Sequence, residues 1–427
     1  MSADGWIARR PTIDIAAGRA RFVVVAKAVV RPRMGRFRTR LVGSASGGIL
    51  AGIGTARRRA IRPGTPIGFP QDAGGSAIDL SQLPDPGSRA FDRLARRGRR
   101  AGVVRLDEGL TATAAAGVVR LAESGVPLVA PGLSSSLRSV LGPELSDVIE
   151  RAPFVARDPH LRERHSIAVR RAAWSRSWRP PTISVLLASR RPADLPEAIR
   201  MVRSQRGCEL QLCVGLHGPE WPDDSEAAIR AAFDGPLVVD RFADTVDLGT
   251  MLDALGCRAD GDFVTKWDDD DHYGADHLVD LVSAIGYTGA QIVGKAAEFV
   301  HLESIDTTIR RYAIGAESYS TTLAGGTLLL SAETLRDVGG WPAASSRVDG
   351  LLIDEILRRG GSSYRTHGFQ FVLRRRRPSS TLGHTWTAPD EYFLRDAVDQ
   401  RPGLDLVFAG IATAAAADRR ESGEPHT

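Results

Sequence analysis

The stretch Phe263-Val264-Thr265-Lys266-Trp267-Asp268-Asp269-Asp270-Asp271-His272-Tyr273-Gly274 opens with an apolar run that reads as a buried strand and continues into four consecutive carboxylates at the strand's carboxyl end. Clustered carboxylates repel one another unless something cationic holds them. A hard divalent ion, Mg²⁺ or Mn²⁺, is the simplest candidate, because these ions prefer oxygen ligands and commonly share one or two protein carboxylates with substrate phosphates. A phosphorylated ligand is therefore expected beside Asp268–Asp271. An acidic surface loop and a calcium site are the rival readings. An EF-hand does not fit, since Gly274 comes one position late for the loop glycine and Val279 stands where the bidentate glutamate belongs.

Upstream of the aspartates, strand and helix patterns alternate. Thr182–Ala188 reads as a strongly buried strand, followed by helix Leu195–Ser204, strand Leu210–Gly215, helix Ser225–Phe233, strand Leu237–Val239, helix Gly249–Cys257 and strand Asp262–Trp267. Such alternation builds a mostly parallel, Rossmann-like α/β sheet with helices on both faces, whose ligands lie at the carboxyl ends of the strands. The aspartates occupy such an end.

The preceding half reads as a smaller α/β domain with apolar runs at 21–30, 101–106 and 126–130. Its clearest unit is strand Gly102–Leu106, helix Ala112–Ser124 and strand Pro127–Ala130, with Thr111 or Thr113 as N-cap and Gly125 as the C-terminal cap. No catalytic motif stands out there; Asp107, Glu108 and Ser134–Ser136 read as surface loops, with a cleft lining as the sharper alternative. The arginine-dense segment Arg162–Arg179, with Trp174 and Trp178, ends at Pro180-Pro181, which stop a helix and mark a boundary. Packing of that helix on a neighbouring domain is expected; a basic, tryptophan-bearing contact with a membrane surface is the alternative. The expected organisation is residues 1–177 as the N-terminal α/β domain, 178–403 as the domain carrying the site, and 404–427 as a partly disordered tail.

Composition sets outer limits. The chain has 427 residues, 43% hydrophobic and 25% charged, with a formal net charge of +5, as in soluble globular proteins. Only Lys27, Lys266 and Lys295 among the 56 basic residues are lysines, and the arginines are spread throughout, so nucleic-acid binding is not expected. No apolar stretch reaches the roughly 20 residues of a membrane-spanning helix. Cys208, Cys213 and Cys257 show neither a disulfide framework nor zinc spacing. Cytoplasmic residence is expected, with peripheral association at the inner face of the membrane as an extension of it.

The succession Ile183–Pro192, the helix ending in Ser204-Gln205, the strand entry Gly261-Asp262-Phe263, the Asp268–Asp271 cluster and the later Gly339-Gly340-Trp341-Pro342 resembles, in order and spacing, family 2 glycosyltransferases of the GT-A fold over roughly residues 181–390. The resemblance implies a metal-dependent, inverting transfer of a sugar from a nucleotide-sugar donor, most often a UDP-sugar, to a hydroxyl of a glycan, lipid-linked or other acceptor. It places such an enzyme in surface polysaccharide or glycoconjugate assembly, with Mn²⁺ or Mg²⁺ as cofactor. Asp268 and Asp270 fall on the family's Asp-x-Asp. Asp270 then ligates the metal directly, Asp268 reaches the ribose or the metal through water, and Asp271 is the frequent additional acid.

By the same resemblance Ala188, Ser189 and Arg190 contact the nucleotide, Gly325 and Gly326 open the acceptor-side segment, and Asp349 is the base, with Asp354 as runner-up. His384 falls where such enzymes complete the metal shell or touch the diphosphate. Two departures stand out: Val214-Gly215-Leu216-His217 replaces an aspartate pair that contacts the base, and Asp253 replaces an asparagine, adding negative charge near the donor unless Lys266 or Arg190 offsets it.

Chemistry asks for these groups. Cleavage of a sugar–diphosphate bond puts charge on the leaving phosphate, which a bridging metal stabilises, and an acceptor hydroxyl needs a carboxylate to take its proton. Asp349 has a helix-capping rival role, since it precedes the apolar pattern Leu351–Ile353. Trp341 and Trp386 offer stacking faces for sugar rings, with packing as the rival. The arginine run Arg374–Arg377 suits phosphate or an anionic acceptor, against a solvated edge. Two other functions remain open: a nucleotidyltransferase or sugar-nucleotide hydrolase, and a non-catalytic glycan- or nucleotide-binding scaffold.

Overall fold

The computed structural model describes residues 77–151, 158–176, 179–311, 315–377 and 388–412, all within the compact unit Arg38–Thr427. The expected apolar run at 21–30, Trp178, His384, Trp386 and the tail beyond 412 lie outside the described residues.

An eight-stranded mixed sheet carries the site. Strands Thr182–Ser189, Glu209–His217, Leu237–Phe242 and Phe263–Trp267 run parallel, with Thr182–Ser189 between Glu209–His217 and Phe263–Trp267. Each is preceded or followed by a helix, as the alternation predicts, and each begins and ends within a few residues of its expected position. The strand core alternates between faces. Val185, Leu187, Val214 and Trp267 join one apolar cluster with helices Leu195–Arg203 and His277–Thr288, whereas Leu186, Cys213 and Val264 join another with helices Leu248–Gly256 and Val348–Arg358. Burial on both faces explains why these strands read as continuous apolar runs.

The sheet departs from a purely parallel one beyond Phe263–Trp267. Leu329–Ser331 inserts antiparallel between Phe263–Trp267 and Ile292–Lys295, and Ser363–Thr366 and Ser318–Tyr319 complete the edge. Because Leu329–Ser331 runs the opposite way, the single turn of 3₁₀-helix leading into it, Gly325–Thr327, lies at the carboxyl ends of the parallel strands. A second sheet, Ala397–Pro402, Thr307–Arg311, Phe299–Leu302, Phe371–Arg375 and His272–Tyr273, was not legible as such from the pattern. Residues 404–412, expected to begin a tail, pack Phe408, Ala409 and Ile411 against Phe299, Phe369 and Val372.

The N-terminal βαβ unit has the expected form: parallel strands Ala77–Leu80, Val103–Leu106 and Leu128–Val129, with helix Ala115–Glu123 entered through a short 3₁₀ turn. Gly125 follows that helix at φ +72°, a left-handed conformation suited to glycine. Asp107 accepts from the Gly109 amide and Ser134 caps the helix Ser135–Leu141, so these residues build turns, not a cleft.

Helix Pro159–Ser175 joins the two halves. Asp158 caps it by accepting from the His160 and Leu161 amides, with Pro159 in the first turn. Its residues enter several cores at once. Val169, Ala172 and Ala173 pack with the N-terminal unit, Ile167 with the second sheet, and Trp174 with the main sheet, its ring 6.2 Å from that of Tyr287. Trp174 is buried, so it packs as expected and offers no face to a membrane. Buried and half-buried ion pairs reinforce the junction: Arg170–Glu317 at 2.8 Å, Arg171–Asp280 at 2.6 Å with Arg171 half-buried, and Arg310 with Glu163 and Glu298. Among the described residues no helix is long and apolar enough to cross a membrane.

Candidate active site

Three of the parallel strands deliver Ser189-Arg190-Arg191, His217 and Asp268–Asp271 to the carboxyl-end side of the sheet. The aspartates there are tied to cations of the chain itself. Lys266, the penultimate strand residue, places Nζ 2.6 Å from Asp268 Oδ1 and 3.6 Å from Asp349 Oδ2. Burial works against that ammonium, but Asp268 and Asp349 outweigh it and hold Lys266 above the ordinary lysine range. The lysine thus joins a carboxylate from one strand end to one from a helix far along the chain.

The next carboxylates face the loop after Thr182–Ser189. Asp269 accepts from Ser189 Oγ at 2.5 Å and from Arg191 Nη1 at 2.6 Å. Arg191 Nη1 also stands 3.3 Å from Asp270 Oδ2, and Arg376 Nε lies 3.6 Å from the same oxygen. Asp271 accepts from the Arg374 amide at 2.9 Å. Asp194, just before helix Leu195–Arg203, supports the arginines, 2.5 Å from Arg376 Nη2 and 4.0 Å from both Arg191 and Arg374. The arginine run is therefore no solvated edge: Arg374 and Arg376 are folded into the carboxylate cluster.

Tyr273 ties the aspartates to the antiparallel insertion. Its hydroxyl accepts from the Asp268 amide at 3.0 Å and donates to the Gly326 carbonyl at 2.9 Å, while its ring stacks on Trp267 at 3.8 Å. The turn Gly325–Thr327 lies hard against both carboxylates. A β-carbon on Gly326 would meet Asp268 Oδ2 and the Tyr273 hydroxyl at 2.7 Å, and one on Gly325 would meet Asp349 Oδ2 at 2.0 Å. Only glycine admits this approach.

Asp349 lies in the first turn of helix Val348–Arg358, whose N-cap is Arg347 at φ 55° with no side-chain cap bond. Capping is thus not its work. Asp349 Oδ1 is buried with no hydrogen-bond partner, and burial holds its carboxyl above the ordinary aspartate range, with Lys266 opposing that rise and Asp268 adding to it. Asp354, the runner-up, points to the surface, 64% exposed and 3.9 Å from Arg347.

Other expected residues stand apart. Asp253 accepts from the Trp341 amide at 2.9 Å and faces Gly340, which takes φ +87°, so it secures a turn; neither Lys266 nor Arg190 pairs with it. Trp341 is 3% exposed within an apolar cluster and presents no stacking face. Arg190 donates to His217 Nδ1 at 2.9 Å, and His217 Nε2 bonds the Val246 carbonyl at 2.9 Å. Ala188 is half-buried beside Ser189. Sequence reasoning missed Arg191, Asp194 and Tyr273, and singled out Asp269 and Arg376 only as members of the aspartate cluster and the arginine run. Adjacency to Arg190 and to the arginine run was the available signal, but direction of the side chains was not.

A divalent ion suits this donor set. Asp194, Asp268, Asp269, Asp270, Asp271 and Asp349 are balanced by fewer cations, namely Lys266, Arg191, Arg376, Arg374 and Arg375, the last two shared with Glu303 and Asp390. Burial, with repulsion from Asp270 and Asp268, pushes Asp269 up to about 6 despite Arg191, and holds Asp271 well above the usual range. Hard oxygen donors with surplus negative charge match Mg²⁺ or Mn²⁺. Among the described residues no three of His, Cys, Asp or Glu form a ready ligand cluster, so an ion there would complete its shell with ligand phosphates or water.

No family model and no curated protein matches the chain. Among solved structures it is similar to the mannosyltransferase PcManGT from Pyrobaculum calidifontis in complex with GDP-Man and Mn²⁺, at TM-score 0.38 and 14% identity, over 47% of this chain and 59% of that one. It is also similar to S. aureus TarS, at TM-score 0.36 and 14% identity over 45% of this chain and 36% of that one. TarS 1–349 in complex with UDP-GlcNAc gives TM-score 0.36 and 14% identity, over 57% and 73%. This chain thus spans little more than half of the mannosyltransferase and about a third of TarS.

Proposed function

We propose that the chain is an inverting glycosyltransferase that moves a sugar from a nucleotide-sugar donor, in first expectation a UDP-sugar, to an acceptor hydroxyl, with Mn²⁺ or Mg²⁺ held by Asp270 and Asp268 together with the donor phosphates. One observation carries this reading: Lys266 brings Asp268 and Asp349 to a single ammonium, with the Gly325–Gly326 backbone against both carboxylates. Donor-site acid and candidate base thereby border one space.

In this reading Asp349 takes the acceptor proton as the hydroxyl oxygen attacks the anomeric carbon and the bond to the diphosphate breaks. A carboxyl raised by burial, with an oxygen lacking any partner, suits that task better than one fully engaged in ion pairs. Lys266 keeps Asp349 oriented and supplies positive charge beside the departing diphosphate. The divalent ion, when bound, stabilises the charge that develops on the leaving group. Nucleotide recognition falls to the loop Ala188–Arg191, and His217 takes the place of the expected acidic pair.

Calorimetric titration of the protein with UDP, GDP and their sugar conjugates, with and without Mn²⁺, tests the reading. Metal-dependent binding of one nucleotide, lost in Asp270→Ala, is expected. Binding of none sinks the glycosyltransferase reading in favour of a scaffold, and turnover of the sugar nucleotide by water alone moves it to a hydrolase.

A further inference from the structure

We infer that Tyr273 is a positioning residue that sets the gap between Asp268, on the donor side, and the turn Gly325–Thr327, which abuts Asp349; the inference rests on the reading of this site as a glycosyltransferase site. Three observations lead to it. One hydroxyl serves both sides, accepting from the Asp268 amide at 3.0 Å and donating to the Gly326 carbonyl at 2.9 Å. That hydroxyl is held in place by the rest of its side chain. The ring is 2% exposed, stacked on Trp267 at 3.8 Å with the His277 and Phe371 rings at 5.0 and 5.3 Å, and the Tyr273 backbone pairs with Phe371 in the second sheet. The turn, finally, is shaped for close approach. Neither Gly325 nor Gly326 takes a left-handed backbone, so glycine stands there for space, and a β-carbon on Gly326 would meet the Tyr273 hydroxyl at 2.7 Å.

The other side of the turn is fastened independently of Tyr273. Thr327, fully buried, accepts from the Lys295 amide at 2.8 Å and donates to the Ala324 carbonyl at 2.7 Å through Oγ1, and the Ala324 amide donates to the Lys295 carbonyl at 2.9 Å. The turn thus has two moorings. The bonds to Lys295 shape it on its own sheet, and the bond to Tyr273 registers it against the aspartates, which arrive on a different strand. Tyr273 also belongs to the second sheet, so its hydroxyl is where that sheet fixes the spacing of the first.

Removal of the hydroxyl leaves the Asp268 amide and the Gly326 carbonyl without their common partner. Buried polar groups in that condition shift until they find another. Asp268 and the turn against Asp349 then lose their shared reference point, and a reaction that needs both carboxylates aligned slows steeply with small displacements. Tyr273 acts here through Asp268 and the turn, not on the reacting atoms.

The test uses the full chain and Tyr273→Phe, which keeps the stacked ring and removes only the hydroxyl. Without any ligand, hydrogen exchange of the segment Gly325–Leu328 is expected to speed up by about tenfold or more, while strand Thr182–Ser189 exchanges as in the wild type. With UDP-glucose and GDP-mannose as probes in Mn²⁺, release of the nucleoside diphosphate is expected to fall by about tenfold or more in kcat, counted per nucleotide-binding site by calorimetry, at a KM within about threefold. Counting sites separates this from a loss of folded protein. Gly326→Ala, which presses on the same hydroxyl from the turn, should give a similar loss, and the double variant a loss well short of the product of the two. Wild-type exchange of Gly325–Leu328 in Tyr273→Phe, or a wild-type kcat in that variant, overturns the positioning role and leaves the functional reading in place. Absence of UDP and GDP binding by the wild type overturns both.

Discussion

The carboxylate of Asp349 stands so close to the backbone of Gly325 that a β-carbon there would lie 2.0 Å from its Oδ2. Gly325→Ala must therefore displace either the carboxylate or the turn Gly325–Thr327. Misplacement of a catalytic group by about an ångström costs roughly 100-fold, so transfer is expected to fall by that order while nucleotide affinity holds within about twofold. Steady-state kinetics beside calorimetry separates the two, and undiminished transfer would remove Asp349 from the reaction.

Asp349→Asn keeps the shape of the side chain and removes its basicity. Loss of a general base typically costs about 10²–10⁴-fold, and that loss should appear in kcat with donor affinity retained. Asp354→Asn, on the exposed face beside Arg347, should leave kcat within about twofold of wild type. The reverse ranking would hand the role to Asp354.

Arg170 and Glu317 are both buried, 4% and 0% exposed, and pair at 2.8 Å, with the Tyr364 hydroxyl donating to the same carboxylate at 2.7 Å. Arg170→Met strands a buried charge and should cost about 3–5 kcal/mol, read by urea unfolding. Adding Glu317→Gln to that variant should recover part of the loss. A cost below about 1 kcal/mol would mean that water reaches this junction.

His367 is 2% exposed, and burial, aided by Lys295 and opposed by Asp280, lowers its pKa to about 4. In the unfolded chain the imidazole takes its proton near about 6.5, so between those values the unfolded state binds more protons. The contribution of His367 is therefore fully present above about pH 6.5 and is lost as pH falls towards 4, with a slope of up to about 1.4 kcal/mol per pH unit. His367→Gln, which retains a donor for Asp280, should flatten the acid side of the stability profile by that amount. Parallel profiles for the two proteins would show that His367 already holds its proton when folded.

The parallel half of the main sheet was legible because its strands are buried on both faces and bounded by short polar loops, so periodicity and punctuation agree. Asp268 was legible for the same reason, standing where an apolar strand stops. The second sheet was hidden by its own charges: Thr307–Arg311 buries Arg310 and Arg311, which local sequence reads as solvent-facing. For Arg374–Arg377 the local sequence left a phosphate site and a solvated edge both open, and it could not show that Arg374 and Arg376 turn inward while Arg377 stays exposed. Trp341, for which a stacking face for sugars and core packing were both open, fills the core. The meeting of Lys266 with Asp349 depends on the antiparallel insertion Leu329–Ser331, whose few residues carry no signal of direction.

Helix Pro159–Ser175 has a consequence for anyone who would recombine this protein with another. The prolines at 180 and 181 invite a cut, yet a chain begun there would lose Arg170 and Arg171 and leave Glu317 and Asp280 without their main guanidinium partners. Such a graft would inherit acidic sockets facing water in place of a seam. A cut that keeps these ion pairs in the half carrying the candidate site therefore lies upstream of Asp158, and any chimera has to carry that helix as part of its cargo.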